Sequence, residues 1–201
     1  MPSRERVLSD DELAVIWAGC QELGFPFDGL ICLLSLTGQR REEVASLDWS
    51  ELNRANLHWV LPSSRAKNQK PHLVPLSKLA VSVLDKVAAS AEWPRRGLVF
   101  STTGITPVSG FSKVKRRLDE YMSHSAGEGV SSGDWRLHDL RRTVATGLQR
   151  LGVRFEVTEA VLNHVSGSRG GIAGVYQRHD WKEEKKDALS QWSGHIERLV
   201  G

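Results

Sequence analysis

A change of hydrophobic period in the middle of the chain most constrains its fold. Residues 57–61 (LHWVL) and 72–76 (HLVPL) are short runs that favour β-strands, and the polar stretch 63–70 between them has the composition of a turn. On both sides of this unit, apolar residues recur with helical spacing. The pattern therefore predicts a small antiparallel hairpin inside a mainly helical protein, which is an α+β fold.

The helical segments can be placed from caps and apolar spacing. Ser9 and Glu12 form a capping box ahead of Leu13 and Ile16, which predicts the first helix. Further helices are expected over 28–36, from near Arg40 with Val44 and Leu47 facing the core, over 77–91, over 109–123, across most of the chain after 133, and over 181–199. A short strand is expected at 98–100, a Gly/Ser-rich loop at 125–133 and a glycine-interrupted segment at 167–174.

Composition excludes several classes of protein. The chain has 201 residues, 40% hydrophobic and 25% charged, which suits one globular domain. It contains no apolar run long enough to cross a bilayer, and its charged N-terminus lacks the core of a signal peptide, so we expect a cytoplasmic protein with no membrane partner. Cys20 and Cys32 lie in apolar, helix-like surroundings and are expected to be buried free thiols, and no Cys/His spacing suggests a zinc site.

Positive charge is concentrated in three segments, 63–78, 113–117 and 136–154, of which the first two contain no acidic residue. Each segment alone would be interpreted as a solvated face, but each also adjoins a candidate catalytic residue or a predicted helix face. Together they favour a surface that contacts phosphates. The side chains expected to contact DNA are Arg65, Lys70, Lys113, Lys115, Arg116 and Arg142.

Two arginines are placed to stabilise a phosphodiester under attack, where charge develops on two non-bridging oxygens. Arg40 follows Thr37 and Gly38 at the start of a predicted helix, and Glu43, three residues later, can orient its guanidinium. The alternative is an exposed ion pair. Arg141 is the second candidate, because a planar guanidinium grips two phosphate oxygens at once.

Two further groups can act with these arginines. His138 lies three residues before Arg141 and shares its helix face, whereas Arg142 lies about 100° round the helix. Lys67, in the predicted turn between the strands, can donate a proton to a departing 5′-oxygen, and Lys70 competes with it for this role.

The chain has only two tyrosines. Tyr121 is in register with apolar residues of a predicted helix and is expected in the core, whereas Tyr176 follows a glycine-rich stretch that suits an exposed nucleophile. A phenol with a pKa of about 10 needs help from neighbouring cations or an imidazole. His164, at the end of a predicted helix, can hydrogen-bond a phosphate or simply cap the helix.

These residues and their order resemble the catalytic domain of tyrosine recombinases, the phage integrase family. The blocks that carry the resemblance are TGQR at 37–40, HDLRRTVAT at 138–146 and LNHVSGSRGGIAGVYQRH at 162–179, the last being similar to integrases of prophages and genomic islands. The resemblance implies that Arg40, Lys67, His138, Arg141 and His164 assemble the site and that Tyr176 attacks DNA. It further implies a site-specific recombinase that forms a 3′-phosphotyrosyl link and a free 5′-hydroxyl, with no metal, ATP or other cofactor.

The same resemblance implies a domain organisation and partners. We expect 1–201 to be a single catalytic domain, without the family's N-terminal core-binding and arm-binding domains, whose helix at 181–201 packs in cis or in trans. The expected partners are double-stranded DNA attachment sites, other protomers in a DNA-bound tetramer, and accessory excision or bending factors. Two features depart from the family: Asn163 stands where many members have glycine, and the gap from His164 to Tyr176 is long.

Three alternative functions remain open. A type IB topoisomerase uses the same chemistry without site preference, a catalytically silent module would bind DNA only, and a helix-turn-helix regulator would have no use for the hairpin and Lys67. A covalent protein–DNA adduct that depends on Tyr176 distinguishes an enzyme from the other two.

Overall fold

A computed structural model of the chain describes residues 5–125, 130, 134–164 and 180–201. Within these residues, helices surround a core to which a three-stranded antiparallel sheet is attached. The helices are α1 (Asp10–Leu23), α2 (Phe27–Thr37), α3 (Arg41–Ala45), α4 (Lys78–Ala88), α5 (Phe111–Ser125), α6 (Leu137–Arg150), α7 (Phe155–Val161) and α8 (Lys182–Val200). The strands are β1 (Leu52–Asn53), β2 (His58–Leu61) and β3 (His72–Pro75). This confirms the α+β prediction.

The central helix is α2, whose residues from Gly29 to Thr37 are all buried. A helix apolar on every face must be covered on every face, and α2 packs against α1, α4, α6 and α8. The two hydroxyls among its buried residues are satisfied locally, because Ser35 and Thr37 donate to the carbonyls four residues earlier. The α2 helix is thus the common support for the elements that carry the site.

The hairpin forms as the period change predicts. Trp59 pairs with Val74 in the β2–β3 register, and the Trp59 side chain is fully buried. Its indole N–H donates to Glu51 at 2.9 Å, which ties the sheet to the short 3-10 turn Trp49–Glu51. Residues 62–71, here called the hairpin loop, connect β2 to β3 and contain Lys67.

The C-terminal helix α8 packs on its own domain. Its apolar positions Ala188, Leu189, Trp192 and Ile196 are buried, as their spacing predicts. The Trp192 indole donates to the Ser35 carbonyl at 2.8 Å, and its ring lies where a Cβ on Gly147 would be 2.1 Å away. Helices α2, α6 and α8 are therefore packed too closely for a side chain at position 147.

Some local predictions were wrong or lie outside the described residues. The strand expected at 98–100 is reduced to one bridge between Leu98 and Asp48, because the partner segment enters the 3-10 turn at Trp49 and offers no further edge. Tyr121 is half-buried against Gly19, and Met122 takes the buried position beside it. Most of the loop expected at 125–133 and the whole segment 167–174 lie outside the described residues.

Two predictions about composition can be compared with the structure. Cys20 and Cys32 are both buried and free. Hydrogen bonding to Cys32, followed by burial, raises the pKa of Cys20, so this thiol remains protonated. Among the helices of the described residues, none combines the length and apolar character that crossing a bilayer requires.

Candidate active site

The buried part of the site is built around the turn that follows α2. Gly38 has φ of 64°, and its N–H caps α2 through the Leu34 carbonyl. A Cβ here would lie 3.0 Å from Val144 and 3.1 Å from Leu162, so glycine is required by conformation and by space. Next along the chain, the buried Gln39 amide donates to the Val161 carbonyl at 2.9 Å. The turn thereby joins α2, α6 and the end of α7, and we call residues 38–43 with Arg141 and 161–162 the floor of the site.

Arg40 is the N-cap of α3 and is held by Glu43. Glu43 accepts the Arg40 backbone N–H at 3.1 Å and its guanidinium at 3.0 Å, and the carboxylate is buried. This is the orienting role predicted for Glu43, but on a partly buried arginine rather than on an exposed ion pair. Within the described residues, the other guanidinium donors of Arg40 have no partner, so they remain available to an anion.

Arg141 is nearly buried and is fixed by two carbonyls. Its guanidinium donates to Gly38 at 2.7 Å and to Leu162 at 2.6 Å. Burial, followed by the positive charge of Arg40, lowers the pKa of Arg141 to about 10, so it stays charged at neutral pH. Two arginines that repel each other at one site gain from a shared anion, which is the arrangement expected for a phosphate site.

A cavity of about 620 Å³ lies above this floor. Arg40, Lys67 and His138, which come from three distant segments, all line it. The other lining residues are Arg41, Glu42, Phe111, Ser112, Lys115, Arg136 and Leu137. Five basic side chains therefore face a cavity with one acidic side chain on its wall. The sequence prediction that separate segments converge on one basic concave surface agrees with this geometry.

His138 lies in the wall of the cavity, only partly covered by its neighbours, and is one helical turn from Arg141. Partial burial, followed by the charges of Arg142 and Arg141, lowers the pKa of His138 below its ordinary value. The imidazole is therefore neutral at neutral pH. A neutral imidazole can accept one proton and donate another.

The hairpin loop presents Lys67 and not Lys70 to the cavity. Lys67 is exposed, and its ammonium makes no hydrogen bond or ion pair within the described part of the chain. Lys70 is also exposed but does not line the cavity. Of the two candidates for the general acid, the geometry favours Lys67.

Arg65, in the same loop, was expected to contact DNA but is engaged inside the protein. Its guanidinium makes a two-point ion pair with Glu51 and also donates to the Glu43 carbonyl and the Ser46 hydroxyl. Four of its five N–H donors are used in this way. The geometry thus favours a structural role, in which Arg65 anchors one side of the hairpin loop.

The remaining predicted DNA contacts divide into two groups. Lys115 bonds both oxygens of Asp119 and lies over the Trp135 ring, and Arg142 pairs with the buried Asp139. Lys113 and Arg116 are exposed, although Arg116 also lies 3.8 Å from Glu120. Clustered charge in the sequence does not distinguish cations that are bonded inside the protein from cations that are exposed. The internal partners of Lys115 and Arg142 lie a helical turn away or on other elements.

His164 and Tyr176 are not placed at the cavity by the described residues. His164 is exposed at the end of α7, where its ring lies 3.1 Å from Glu159, and it does not line the cavity. Its neighbour Asn163 bonds Asn68 of the hairpin loop, which brings the end of α7 next to Lys67. Tyr176 lies outside the described residues. The roles of both residues stay predictions.

Two polar residues that bond to the floor had no role in the sequence prediction. Gln39 and His72 both bond the Val161 carbonyl, His72 at 3.1 Å from β3. Burial, followed by the charge of Lys185, lowers the pKa of His72 to about 3, so the ring is neutral at neutral pH. The tautomer with its proton on Nε2 donates to the Val161 carbonyl. A histidine at a strand start gives no local signal for a contact 89 residues away.

The sequence itself matches a known family. The model of the phage integrase family matches residues 6–180, which include every candidate catalytic residue named above. The chain belongs to the phage integrase family. Among curated relatives, prophage integrase IntA of Escherichia coli K12 is 26% identical over 158 residues, covering 79% of this chain and 36% of that protein. The chain thus spans little more than a third of this relative.

Solved structures of phage integrases share the fold. The integrase from mycobacterium phage Brujita superposes with a TM-score of 0.66 at 16% identity, covering 100% of this chain and 65% of that one. The lambda integrase (75–356) dimer bound to a COC′ core site gives a TM-score of 0.60 at 20% identity, covering 83% of this chain and 60% of that one. The integrase catalytic-domain fold predicted from the sequence is confirmed.

Proposed function

We propose that this phage integrase family chain is a site-specific DNA recombinase that cuts and rejoins DNA through Tyr176. One observation carries the proposal: Arg40, Lys67 and His138, from separate segments, line a single basic cavity, with Arg141 fixed beside Arg40. Preorganised cations around a concave surface are what a phosphodiester under nucleophilic attack needs. Double-stranded attachment-site DNA is the substrate that this chemistry and the family favour.

In the cleavage step, the Tyr176 oxygen forms a bond to phosphorus as the bond from phosphorus to the 5′-oxygen breaks. The phenolic proton is lost, and the 5′-oxygen gains a proton and leaves as a hydroxyl. The product is a 3′-phosphotyrosyl link. A 5′-hydroxyl from a partner strand then reverses the step, and the energy of the phosphodiester is retained in the covalent bond.

Each described residue has a role that its environment supports. Arg40 and Arg141 bind the non-bridging oxygens, because a planar guanidinium matches two phosphate oxygens and these two are held by Glu43 and by backbone carbonyls. His138, neutral at neutral pH, can accept the phenolic proton. Lys67 donates to the 5′-oxygen, and His164 supplies a further hydrogen bond to the phosphate.

Contacts beyond the scissile phosphate involve exposed cations. Lys70, Lys113 and Arg116 are exposed and are our candidates for the DNA backbone. Recombination exchanges strands between two duplexes, so we include other protomers in a DNA-bound tetramer and accessory excision or bending factors as partners. The protein, encoded by a bacterium or a phage, acts in the cytoplasm on chromosomal DNA.

The test is covalent trapping on a pool of duplexes with randomised sequence and a nick at a fixed position. Cleavage close to the nick releases a short strand and prevents rejoining, so the adduct accumulates. We expect DNA that stays attached to the protein after denaturation, at low ionic strength, and none with Tyr176→Phe, with Tyr121→Phe as the matched control.

The sequences recovered decide between the proposed function and its alternatives. Adducts enriched in one sequence support a site-specific recombinase, whereas adducts without sequence preference indicate a type IB topoisomerase. Binding without any Tyr176-dependent adduct would overturn the proposal in favour of a catalytically silent DNA-binding module.

A further inference from the structure

We propose that Asn68 and Asn163 form a side-chain latch that positions Lys67 for proton donation. This inference rests on the proposed function. The Asn68 Nδ2 donates to the Asn163 Oδ1 at 2.7 Å, and the Asn163 Nδ2 lies 3.4 Å from the Asn68 Oδ1. The pair joins the hairpin loop to the end of α7 across 95 residues of sequence.

The backbone conformation at Asn163 is one that glycine would adopt more easily, so the asparagine side chain needs an explanation. Asn163 has φ of 52°, in the left-handed region that glycine occupies without strain and that asparagine tolerates better than most residues. Glycine would suit the turn equally well but has no side-chain amide to bond Asn68. The asparagine therefore keeps the turn and adds a bond to the loop that carries Lys67.

Lys67 lies between two anchors of the hairpin loop. On its N-terminal side, Arg65 is fixed by Glu51 and by groups of the α3 region. On its C-terminal side, Asn68 bonds Asn163 and also accepts the Lys70 backbone N–H at 3.2 Å. The backbone of Lys67 is thus held on both sides, while its ammonium is exposed and lines the cavity.

A general acid must reach the leaving oxygen at hydrogen-bond distance, so a loop that moves away lowers the rate of the proton transfer. Asn68 and Asn163 act through Lys67 and are positioning residues. Their contribution disappears when the leaving group needs no proton. A DNA substrate with sulfur in place of the bridging 5′-oxygen provides that condition, because a thiolate is a far weaker base than an alkoxide.

The experiment compares cleavage rates on one sequence recovered from the randomised pool, synthesised with a 5′-oxygen or a 5′-sulfur at the scissile position. Asn68→Ala and Asn163→Gly should each slow cleavage of the oxygen substrate roughly tenfold and leave the sulfur substrate nearly unchanged. Asn163→Gly preserves the left-handed backbone, so a folding defect is not expected. Asn163→Asp, which keeps the acceptor for Asn68, should retain most of the rate.

Two further variants complete the comparison. The double variant Asn68→Ala/Asn163→Gly should be no slower than either single variant, because one interaction is lost only once. Asn56→Ala, an exposed asparagine in the turn between β1 and β2, should leave both substrates unaffected.

Each outcome bears on one proposal. If Tyr176-dependent cleavage occurs at the same rate with Asn68→Ala, or if both substrates slow equally, the latch is wrong while the proposed function stands. If no Tyr176-dependent adduct forms at all, the proposed function fails first. Limited trypsin digestion tests the latch without DNA, since Asn163→Gly should speed cleavage after Lys67, and an unchanged rate would contradict the latch.

Discussion

The floor of the site and the hairpin loop hold their candidate catalytic cations, Arg141 and Lys67, in opposite ways. In the floor, Arg141 is buried, bonded to two backbone carbonyls and adjacent to a second arginine oriented by Glu43. In the loop, Lys67 is exposed, and its ammonium has no partner in the part of the chain that the structure describes. The floor holds the guanidinium of Arg141 itself in place, whereas the hairpin loop holds the backbone of Lys67 and leaves its ammonium unbonded within the described residues.

This difference matches two chemical tasks. Stabilising charge on non-bridging oxygens benefits from a cation that does not move or lose its proton, which a buried and hydrogen-bonded guanidinium provides. Donating a proton requires a group that approaches the leaving oxygen and then loses its charge, which suits an exposed ammonium on a held loop. Substitutions in each region test whether the floor and the hairpin loop are as different as their contacts indicate.

The largest effect is expected in the floor. Arg141→Ala removes a cation that we propose binds the scissile phosphate, so adduct formation should fall by about a hundredfold to a thousandfold. It also leaves the Gly38 and Leu162 carbonyls unpaired, at about 1–3 kcal/mol each, so thermal unfolding should shift to lower temperature. Arg150→Ala, exposed on the same helix, is the control and should change neither measurement.

In the loop, the expected effect is catalytic without a loss of stability. Lys67→Ala should slow cleavage of ordinary DNA by about a hundredfold, and its unfolding temperature should be unchanged because the exposed side chain makes no hydrogen bond or ion pair within the described residues. Lys70→Ala is the matched control, because Lys70 is an exposed lysine three residues later in the same loop, and it should slow cleavage less than about threefold. Equal defects in the two variants would mean that the loop supplies charge and not a specific acid.

Acidification should destabilise the protein through His72, which joins β3 to the Val161 carbonyl of the floor. The pKa of His72 is lower in the folded protein, about 3, than in the unfolded chain, so below about pH 6.5 the unfolded chain binds an additional proton. The contribution to stability is complete above that pH and declines by about 1.4 kcal/mol per pH unit as pH falls toward 3. Urea unfolding across this range measures the slope, and His72→Gln should make it shallower.

His124→Gln, at an exposed position of α5, serves as the control for this experiment and should leave the slope unchanged. A His72→Gln protein that loses stability as steeply as the unsubstituted protein would show that the buried ring is not the source of the acid sensitivity.

The smallest effects separate structural cations from DNA contacts. Arg65→Ala should lower the free energy of unfolding by about 1–3 kcal/mol while the salt dependence of DNA binding stays the same. Arg116→Ala should leave stability unchanged and reduce the slope of log affinity against log salt by about one. The opposite pattern in fluorescence titrations and melting curves would reverse the assignment of these two arginines.

Local sequence patterns predicted most of the fold because they depend on neighbours in sequence. The capping box at Ser9, the apolar faces of α6 and α8, and the β2–β3 hairpin all follow from spacing and turn chemistry. The strand expected at 98–100 was wrong, since a strand needs an edge, and the adjacent segment curls away after Asp48. Pairing of that kind is decided by tertiary structure.

The site shows the same division. Motifs in the sequence were enough to select Arg40, Lys67, His138 and Arg141 as candidate site residues, and helical spacing was enough to select Glu43. Asn68, Gln39 and His72 could not, because each bonds a partner 89 to 122 residues away. The predicted role of Arg65 conflicts with its contacts for a related reason, since its partner Glu51 lies outside the basic segment that suggested a DNA contact.

The close packing of Gly147 against Trp192 has a consequence for domain shuffling. A chimaera that joins the first 180 residues of this chain to the last helix of a related integrase must bring an aromatic ring that fits over a bare backbone and reaches the Ser35 carbonyl. A donor helix without a tryptophan at position 192 would leave a void over Gly147. A recipient with alanine at position 147 would clash with the Trp192 ring, because a Cβ there would lie 2.1 Å from it. Positions 147 and 192 are therefore best exchanged together.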